Sequence, residues 1–341
     1  DNLSRQLLIS GELDKFIEEG IVGITSNPTI FDNSISKSDD YDEALRENAI
    51  NASTPEDTYW NLVCKDIADA ADILRPVYEQ SNGLDGYVSV EVSPMLAKNT
   101  VDTIVQANEL YARLSKDNVM IKIPATKEGL GAIEAVIGNN IPVNVTLIFS
   151  IERYTEVIAS YKKGIAKLRE KGISDTPACV ASFFISRLDT KLDPQLPEGS
   201  PLIGKAANAN ASAAYDLFKT EFKDLLDDPR NLMRPLWAST STKNPLFSQT
   251  LYVDELLAKN TVNTLPLATI EAIRNSDGDF PTVDLDINSD QHAKILSEIE
   301  NLVDLDTILI ELENEGVESF MKSYTSCLES IAARLAQFAP K

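Results

Sequence analysis

The chain has 341 residues, with 53 Asp and Glu against 31 Lys and Arg, a formal charge of -22 at pH 7 and an isoelectric point near 4.4. Such a charge repels polyphosphate at long range and argues against a general nucleic-acid partner; no apolar run approaches membrane-spanning length. An anionic small substrate would, for the same reason, need local cations; a hydrophobic content of 43% and a mean hydropathy of -0.14 describe an ordinary globular chain with material for a large core. The length suits two average domains or one α/β barrel with insertions. Cys64, Cys179 and Cys327 are odd in number, without metal-like spacing, and read as buried thiols in a reducing compartment. The single histidine, His292, lies in a polar stretch, which removes His-rich metal sites and argues against a Ser-His-Asp triad.

In chain order, the sequence opens at Asp1 with no methionine or signal-like segment, which reads as upstream trimming. Leu7, Leu8, Ile9, Leu13, Phe16 and Ile17 recur at helical spacing, and Ile21–Thr25 reads as a strand ending in Ser26-Asn27-Pro28. From Pro55 to about Asn82 the stripe Trp60, Val63, Ile67, Ala71 and Leu74 predicts a long amphipathic helix. A turn at Asn82–Gly86, a strand at Tyr87–Glu91, a helix at Asn99–Lys116 and a strand opening at Val119 follow. Next come a helix over Glu128–Ile137, a strand at Val143–Leu147, a helix over Ile151–Lys171 capped by Ser150, and a strand at Ala178–Phe184. Asp189–Leu202, rich in Pro and Gly, reads as a surface insertion. Lys205–Leu226 is helical, Met233–Ser239 and Thr261–Thr264 are strands, and Leu267–Asn275 is a helix. Residues 279–341 abandon the alternation for two or three helices, a C-terminal extension packed on one domain spanning 1–341.

Seven strands, each followed by helical sequence, imply a parallel sheet with helices outside it. The expected fold is therefore an α/β (β/α)8 TIM barrel with additional C-terminal helices. Closure needs an eighth strand, which would have to end at Asp1 and be truncated here.

Val119–Thr126 is the anomalous stretch, an apolar strand with one cation, Lys122, in its middle. Side chains alternate along a strand, so if Val119, Ile121 and Ile123 face the helices, Lys122 points into the lumen. Burying an ammonium is costly, and a lowered amine pKa is the cheaper outcome, which is how a Schiff-base lysine arises. The same parity turns Gly23, Thr25 and Asn27 inward, with Ser89 and Glu91, Asn144 and Thr146, Ser182 and Phe184, and Trp237, Ser239 and Ser241. Each residue taken singly reads equally as a hydrogen-bonded structural group; gathered from five strands they read as a site.

These residues carry a resemblance. Gly23-Ile24-Thr25-Ser26-Asn27-Pro28, Ser89-Val90-Glu91-Val92-Ser93, Met120-Ile121-Lys122-Ile123-Pro124-Ala125-Thr126, Val143-Asn144-Val145-Thr146, Ala181-Ser182-Phe183-Phe184-Ile185-Ser186-Arg187 and Leu236-Trp237-Ala238-Ser239-Thr240-Ser241 resemble transaldolase motifs, collinear over nearly the whole chain. The match is most similar to the longer bacterial and plastid-type branch. It implies transfer of a dihydroxyacetone unit from sedoheptulose 7-phosphate to glyceraldehyde 3-phosphate in the non-oxidative pentose phosphate pathway, with no metal or organic cofactor. By the same resemblance Lys122 forms the Schiff base, Glu91 and Thr146 hold a catalytic water, and Asp1 removes the hydroxyl proton as the bond cleaves. Asn27 and Asn144 bind substrate hydroxyls, and Thr25, Ser182 and Phe184 line the site. The partners implied are sugar phosphates, with no nucleic acid or membrane, and the protein is expected as a monomer or homodimer in the cytoplasm, or in the plastid stroma if a transit peptide was removed.

Substrate phosphate is expected near Arg187, whose planar fork suits it, and near Ser239 and Ser241. The alternative for Arg187 is a surface ion pair with Asp189. Shorter transaldolases carry a second Arg after the seventh strand; Lys243 is the substitute here. Asn275-Ser276-Asp277-Gly278 departs from the family pattern, and Phe320 and Tyr324 are expected chiefly to pack. The rivals are a fructose-6-phosphate aldolase-like lyase, which Glu91 and Phe184 disfavour because its relatives resemble Gln and Tyr there, and a non-catalytic sugar-phosphate-binding barrel.

Overall fold

A computed structural model describes residues 1–276 and 289–339. The chain forms two compact units, Asp1–Ile123 with Val317–Lys341, and Pro124–Gly316.

In the first unit, strands β1 (Gly23–Thr25), β2 (Tyr87–Glu91) and β3 (Val119–Pro124) pair in parallel and in chain order. The register puts Thr25 opposite Ser89, Ser89 opposite Met120 and Glu91 opposite Lys122. Residues level in a parallel pair share a face, so the polar set lies on one side and Ile24, Val88, Val90, Val119 and Ile121 on the other. Helix Pro55–Gln80 starts with Pro55 at its first position, where the missing N–H costs nothing, and Thr54 caps it by accepting from Asp57 N. Its stripe Trp60, Val63, Ile67, Ala71 and Leu74 is buried as expected. The turn back to β2 requires Gly86: φ is +84°, and a Cβ would sit 2.3 Å from Tyr78 N. Two helices were not anticipated, Pro28–Lys37 and Asp42–Ile50. The first had a legible start, Asn27 as N-cap and Pro28 at the first position.

In the second unit, β4 (Val143–Ile148), β5 (Cys179–Phe184), β6 (Met233–Ala238) and β7 (Val262–Asn263) are again parallel and in chain order. β4 and β5 are buried along their whole length, apolar on one face and carrying the buried polar residues Asn144, Thr146 and Ser182 on the other. Helix Lys127–Ile137 packs on helix Ile151–Glu170, whose N-cap Ser150 accepts from Arg153 N at 3.1 Å.

The segment Asp189–Leu202 lies at the surface in part: Thr190, Pro194, Gln195, Pro197, Glu198, Gly199 and Pro201 are exposed, while helix Ser186–Leu192 runs into a 3-10 turn at Asp193–Gln195 and Asp189, Leu192, Leu196 and Leu202 are buried anchors the sequence reading did not foresee. Asp189 Oδ1 accepts from Ala207 N at 2.8 Å and Asp193 Oδ1 from Gly204 N at 2.9 Å, tying the segment to the start of helix Ala206–Glu221. The exposed Pro and Gly residues mark where this chain turns at the surface, and the leucines pin it to the core.

Of the C-terminal region, helices Ser289–Glu300 and Leu305–Phe338 are described, whereas 277–288, with Asp277 and Gly278, lie outside the described residues. In the first unit the end of the long helix is clamped by Arg334, which donates to the carbonyls of Ile35 (2.5 Å) and Ser38 (3.2 Å) and pairs with Asp42. Among the described residues no helix is long and apolar enough to cross a membrane.

Candidate active site

Register brings Lys122 and Glu91 together on the polar face of the first unit. Lys122 Nζ lies 3.3 Å from Glu91 Oε2 and donates to the Ser26 carbonyl at 3.2 Å. Both residues are nearly out of solvent, at 5% and 6% exposure, so placement on this face costs each of them its hydration. Burial pushes the Glu91 carboxyl above its usual range, with Lys122 opposing that rise. The pair meets as charges and not along a hydrogen-bond direction, and Glu91 Oε2 has no hydrogen-bond partner. The Phe320 ring of the C-terminal helix lies 5.8 Å from Lys122 Nζ. Phe320 therefore packs, as expected, but does so against the amine. Tyr324 donates to Glu56 Oε1 at 2.9 Å and stacks edge-on with Tyr59, a packing role.

Thr25 donates to Asp1 Oδ1 at 3.1 Å, which places the carboxylate of Asp1 beside β1 on the Glu91 side of the sheet. Asn27 is split in function. Its Oδ1 accepts from Ile30 N at 2.9 Å as a helix cap, leaving the Nδ2 amide as the part that can donate to a substrate hydroxyl.

In the second unit, Ser182 donates to Asn144 Oδ1 at 2.7 Å, and both are fully buried. Thr146 is buried on the same face, and its Oγ1, like Glu91 Oε2, has no hydrogen-bond partner. A buried polar atom left open in this way, here one in each unit, is what a bound water or a substrate hydroxyl satisfies. The Thr146 carbonyl accepts from Ala125 N at 2.7 Å. Immediately after it Leu147 has φ +59° and the β4–β5 register shifts between Val145 and Ile148. A bulged, positive-φ leucine in a buried strand is costly, and such bulges re-aim side chains at functional sites.

Phe184 ends β5, with Phe149 5.1 Å from it ring to ring, and the Arg187 guanidinium lies 5.2 Å over the Phe184 ring. Burial lowers the Arg187 pKa, and Glu315 partly restores it. The alternative pairing of Arg187 with Asp189 is overturned, since Asp189 is 3% exposed and accepts from Ala207 N and Tyr252 OH, both at 2.8 Å. Burial pushes the Asp189 carboxyl up to about 7 against those hydrogen bonds.

After β6, Ser239 has φ +57° and its hydroxyl lies 3.1 Å from that of Ser186. Lys243, exposed, donates to Ser241 Oγ at 2.5 Å. Trp237 corrects the parity reading. It is level with Phe183, meets its ring at 6.3 Å, and donates to the Leu256 carbonyl, while Phe183 meets Tyr154 of helix Ile151–Glu170. Trp237 thus faces the helices. The positive φ at Ser239 breaks strand alternation, so Trp237 does not share a face with Ser239 and Ser241 as simple parity would have it. Ser26, Ser186 and Phe149 were missed as site neighbours; only the Ser26 carbonyl had a signal, its place at the end of β1.

Among the described residues no group of three His, Cys, Asp or Glu side chains is placed to hold a metal ion.

Comparison with known proteins fits this arrangement. The family model described as transaldolase/fructose-6-phosphate aldolase matches residues 1–331. A protein named transaldolase 2 from Streptomyces avermitilis is 42% identical over all of this chain and 95% of its own length. Transaldolases from Saccharopolyspora erythraea (43% identical, 99% of this chain, 94% of the relative) and Trichodesmium erythraeum (40%, 100% and 95%) are similar to the same extent. With full-length identity of this order and the lysine and carboxylate of one face in contact, the chain belongs to the transaldolase/fructose-6-phosphate aldolase family.

Proposed function

We propose that the chain is a transaldolase, moving a dihydroxyacetone unit from sedoheptulose 7-phosphate to glyceraldehyde 3-phosphate through an imine on Lys122, in the cytoplasmic pentose phosphate pathway. The observation that carries this reading is a buried lysine 3.3 Å from a buried carboxylate whose pKa is raised. The relatives' names support transfer in preference to release of the free three-carbon product.

In the proposed reaction the Lys122 amine attacks the ketose C2 carbonyl, and water leaves as the C=N bond forms. The protonated imine then takes up the electron pair of the C3–C4 bond while Asp1 accepts the C4 hydroxyl proton, so erythrose 4-phosphate departs. The enamine attacks the aldehyde of glyceraldehyde 3-phosphate, and hydrolysis releases fructose 6-phosphate and the amine. Glu91 and Thr146 hold the water and pass protons; their open oxygens support this. Asn144, Ser182, Asn27 and Thr25 bind the dihydroxyacetone hydroxyls, and Phe184 excludes water from them. Arg187, with Ser239, Ser241 and Lys243, binds phosphate, since guanidinium matches its geometry. The reading includes closure of the strands into a single (β/α)8 barrel, which gathers these residues around one lumen, and a monomer or homodimer.

Borohydride trapping with fructose 6-phosphate, followed by mass spectrometry, tests it. A mass increment on Lys122 is expected. Trapping in a Lys122→Met protein would overturn the assignment, and free dihydroxyacetone formed without an acceptor would favour the aldolase.

A further inference from the structure

Among the described residues of the first unit Lys122 Nζ has two polar contacts, one of them to the Glu91 side chain. The other is to the Ser26 carbonyl at 3.2 Å. Ser26 is fully buried and follows β1, just past the last residue paired with β2. Its own hydroxyl donates to the Ser89 carbonyl at 2.7 Å, and its backbone N–H donates to that same oxygen at 3.3 Å. One acceptor on β2 thus grips Ser26 twice, and the grip sets the direction in which the Ser26 carbonyl points after β1 has ended.

We propose that Ser26 is a positioning residue for the reactive lysine: its hydroxyl clips the end of β1 to β2 so that its carbonyl holds the N–H of Lys122 in both the ammonium and the protonated imine. The proposal rests on the Schiff-base reading above and deepens it. When the ammonium condenses with a ketone, two N–H bonds are lost, the carbonyl oxygen leaves as water, and one N–H remains on the C=NH⁺ nitrogen. That N–H needs one acceptor. A backbone carbonyl suits it because a carbonyl cannot take the proton away, whereas a carboxylate in the same place could. Glu91 is then spared for proton transfer. A clipped carbonyl costs no reorganisation when the charge on nitrogen changes shape, which is the general advantage of preorganised dipoles.

Among the described residues of this unit, Glu91 faces Lys122 from β2, the Asp1 carboxylate lies beside β1 on the same side of the sheet, and Tyr59 of helix Pro55–Gln80 is buried within the field of Glu91. The C-terminal helix contributes the uncharged Phe320 ring. A loosened Ser26 carbonyl therefore changes the balance at the amine without removing any charge.

The test compares wild type, Ser26→Ala and Ser26→Thr, each with activity profiled across pH and with borohydride trapping on fructose 6-phosphate. Loss of an aimed acceptor destabilises the charged nitrogen, so in Ser26→Ala the pH limb belonging to Lys122 moves to lower pH and kcat falls about tenfold, the low end for a hydrogen bond to a charged group. KM is expected to stay within about twofold because no substrate contact is lost. Ser26→Thr keeps the hydroxyl and restores both limb and rate. If Ser26→Ala does not fold, Ser26→Cys, a weaker donor, is read the same way for a smaller shift in the same direction. A wild-type pH limb in the folded variant, with or without a fall in rate, overturns the proposal while leaving the Schiff-base reading intact. Failure of wild type to trap at Lys122 overturns that reading, and this one with it.

Discussion

Glu91 Oε2 and Lys122 Nζ lie 3.3 Å apart on neighbouring strands at matched register, both buried, with the carboxylate oxygen lacking a directed hydrogen bond. Attraction between them offsets part of two desolvation costs, and neither charge is comfortable without the other. Lys122→Met alone should strand Glu91, destabilising the fold by about 3 kcal/mol at neutral pH, where its carboxyl must be ionised or pay to protonate. The double variant Lys122→Met with Glu91→Gln should recover most of that loss. Urea unfolding of the four proteins in the cycle measures this, and additive single losses would contradict it.

Arg187 should act on binding. Replacement by Ala is expected to raise KM for the sugar phosphates about tenfold or more with a smaller change in kcat, as befits a charge-assisted contact away from the reacting carbon. Arg187→Lys keeps the charge but not the fork and should rescue only part. Inhibition by inorganic phosphate, weakened in parallel, checks the assignment; unchanged KM and inhibition would refute it.

Asp189 introduces a pH dependence of stability unrelated to catalysis. Its folded pKa, about 7, is raised by burial above the ordinary carboxylate value of 3.8, so the fold binds this proton more tightly than the unfolded chain does. Its stabilising contribution is full below the unfolded pKa and is lost as pH rises through the folded one, between about 4 and 7. Asp189→Asn, which keeps one acceptor for Ala207 N, removes that titration. Melting temperatures from pH 4 to 8 should show a downward slope in wild type that is shallower in the variant, on the order of a few kcal/mol across the window. Equal slopes would show that the carboxyl titrates normally.

Gly164 sits where helix Ile151–Glu170 meets helix Lys127–Ile137. An added Cβ would lie 2.8 Å from Ile137 Cβ and 2.9 Å from the Glu134 carbonyl oxygen. Alanine normally gains about 1 kcal/mol over glycine inside a helix. Here the overlap is with a backbone atom and a Cβ, which cannot step aside, and overpacking costs about 1 to 3 kcal/mol. Gly164→Ala is expected to destabilise by about 1 kcal/mol or more on balance, read by thermal or urea unfolding. A gain in stability would mean that the helices separate freely.

Much of the fold was legible because strand and helix periods are local. The stripe from Trp60 to Leu74 and the apolar strands at Val119, Val143 and Ala178 announced themselves within one or two residues of their observed ends. What was not legible turned on contacts distant in sequence. Nothing local in Asp189–Leu202 says that Leu192 and Leu196 will find a core, or that Tyr252 will meet Asp189.

The sequence by itself determined the side of the strand on which Lys122, Glu91 and Thr25 fall, because alternation is a property of extended backbone and each of these strands is regular as far as those residues. Only the tertiary structure decided what the lysine touches: the carbonyl of Ser26, aimed by a bond to Ser89 that lies 63 residues on, and the Phe320 ring from the far end of the chain. It also decided where alternation stops, at Leu147 and Ser239, since a positive φ is selected by packing around a residue and leaves no mark in the residue's identity.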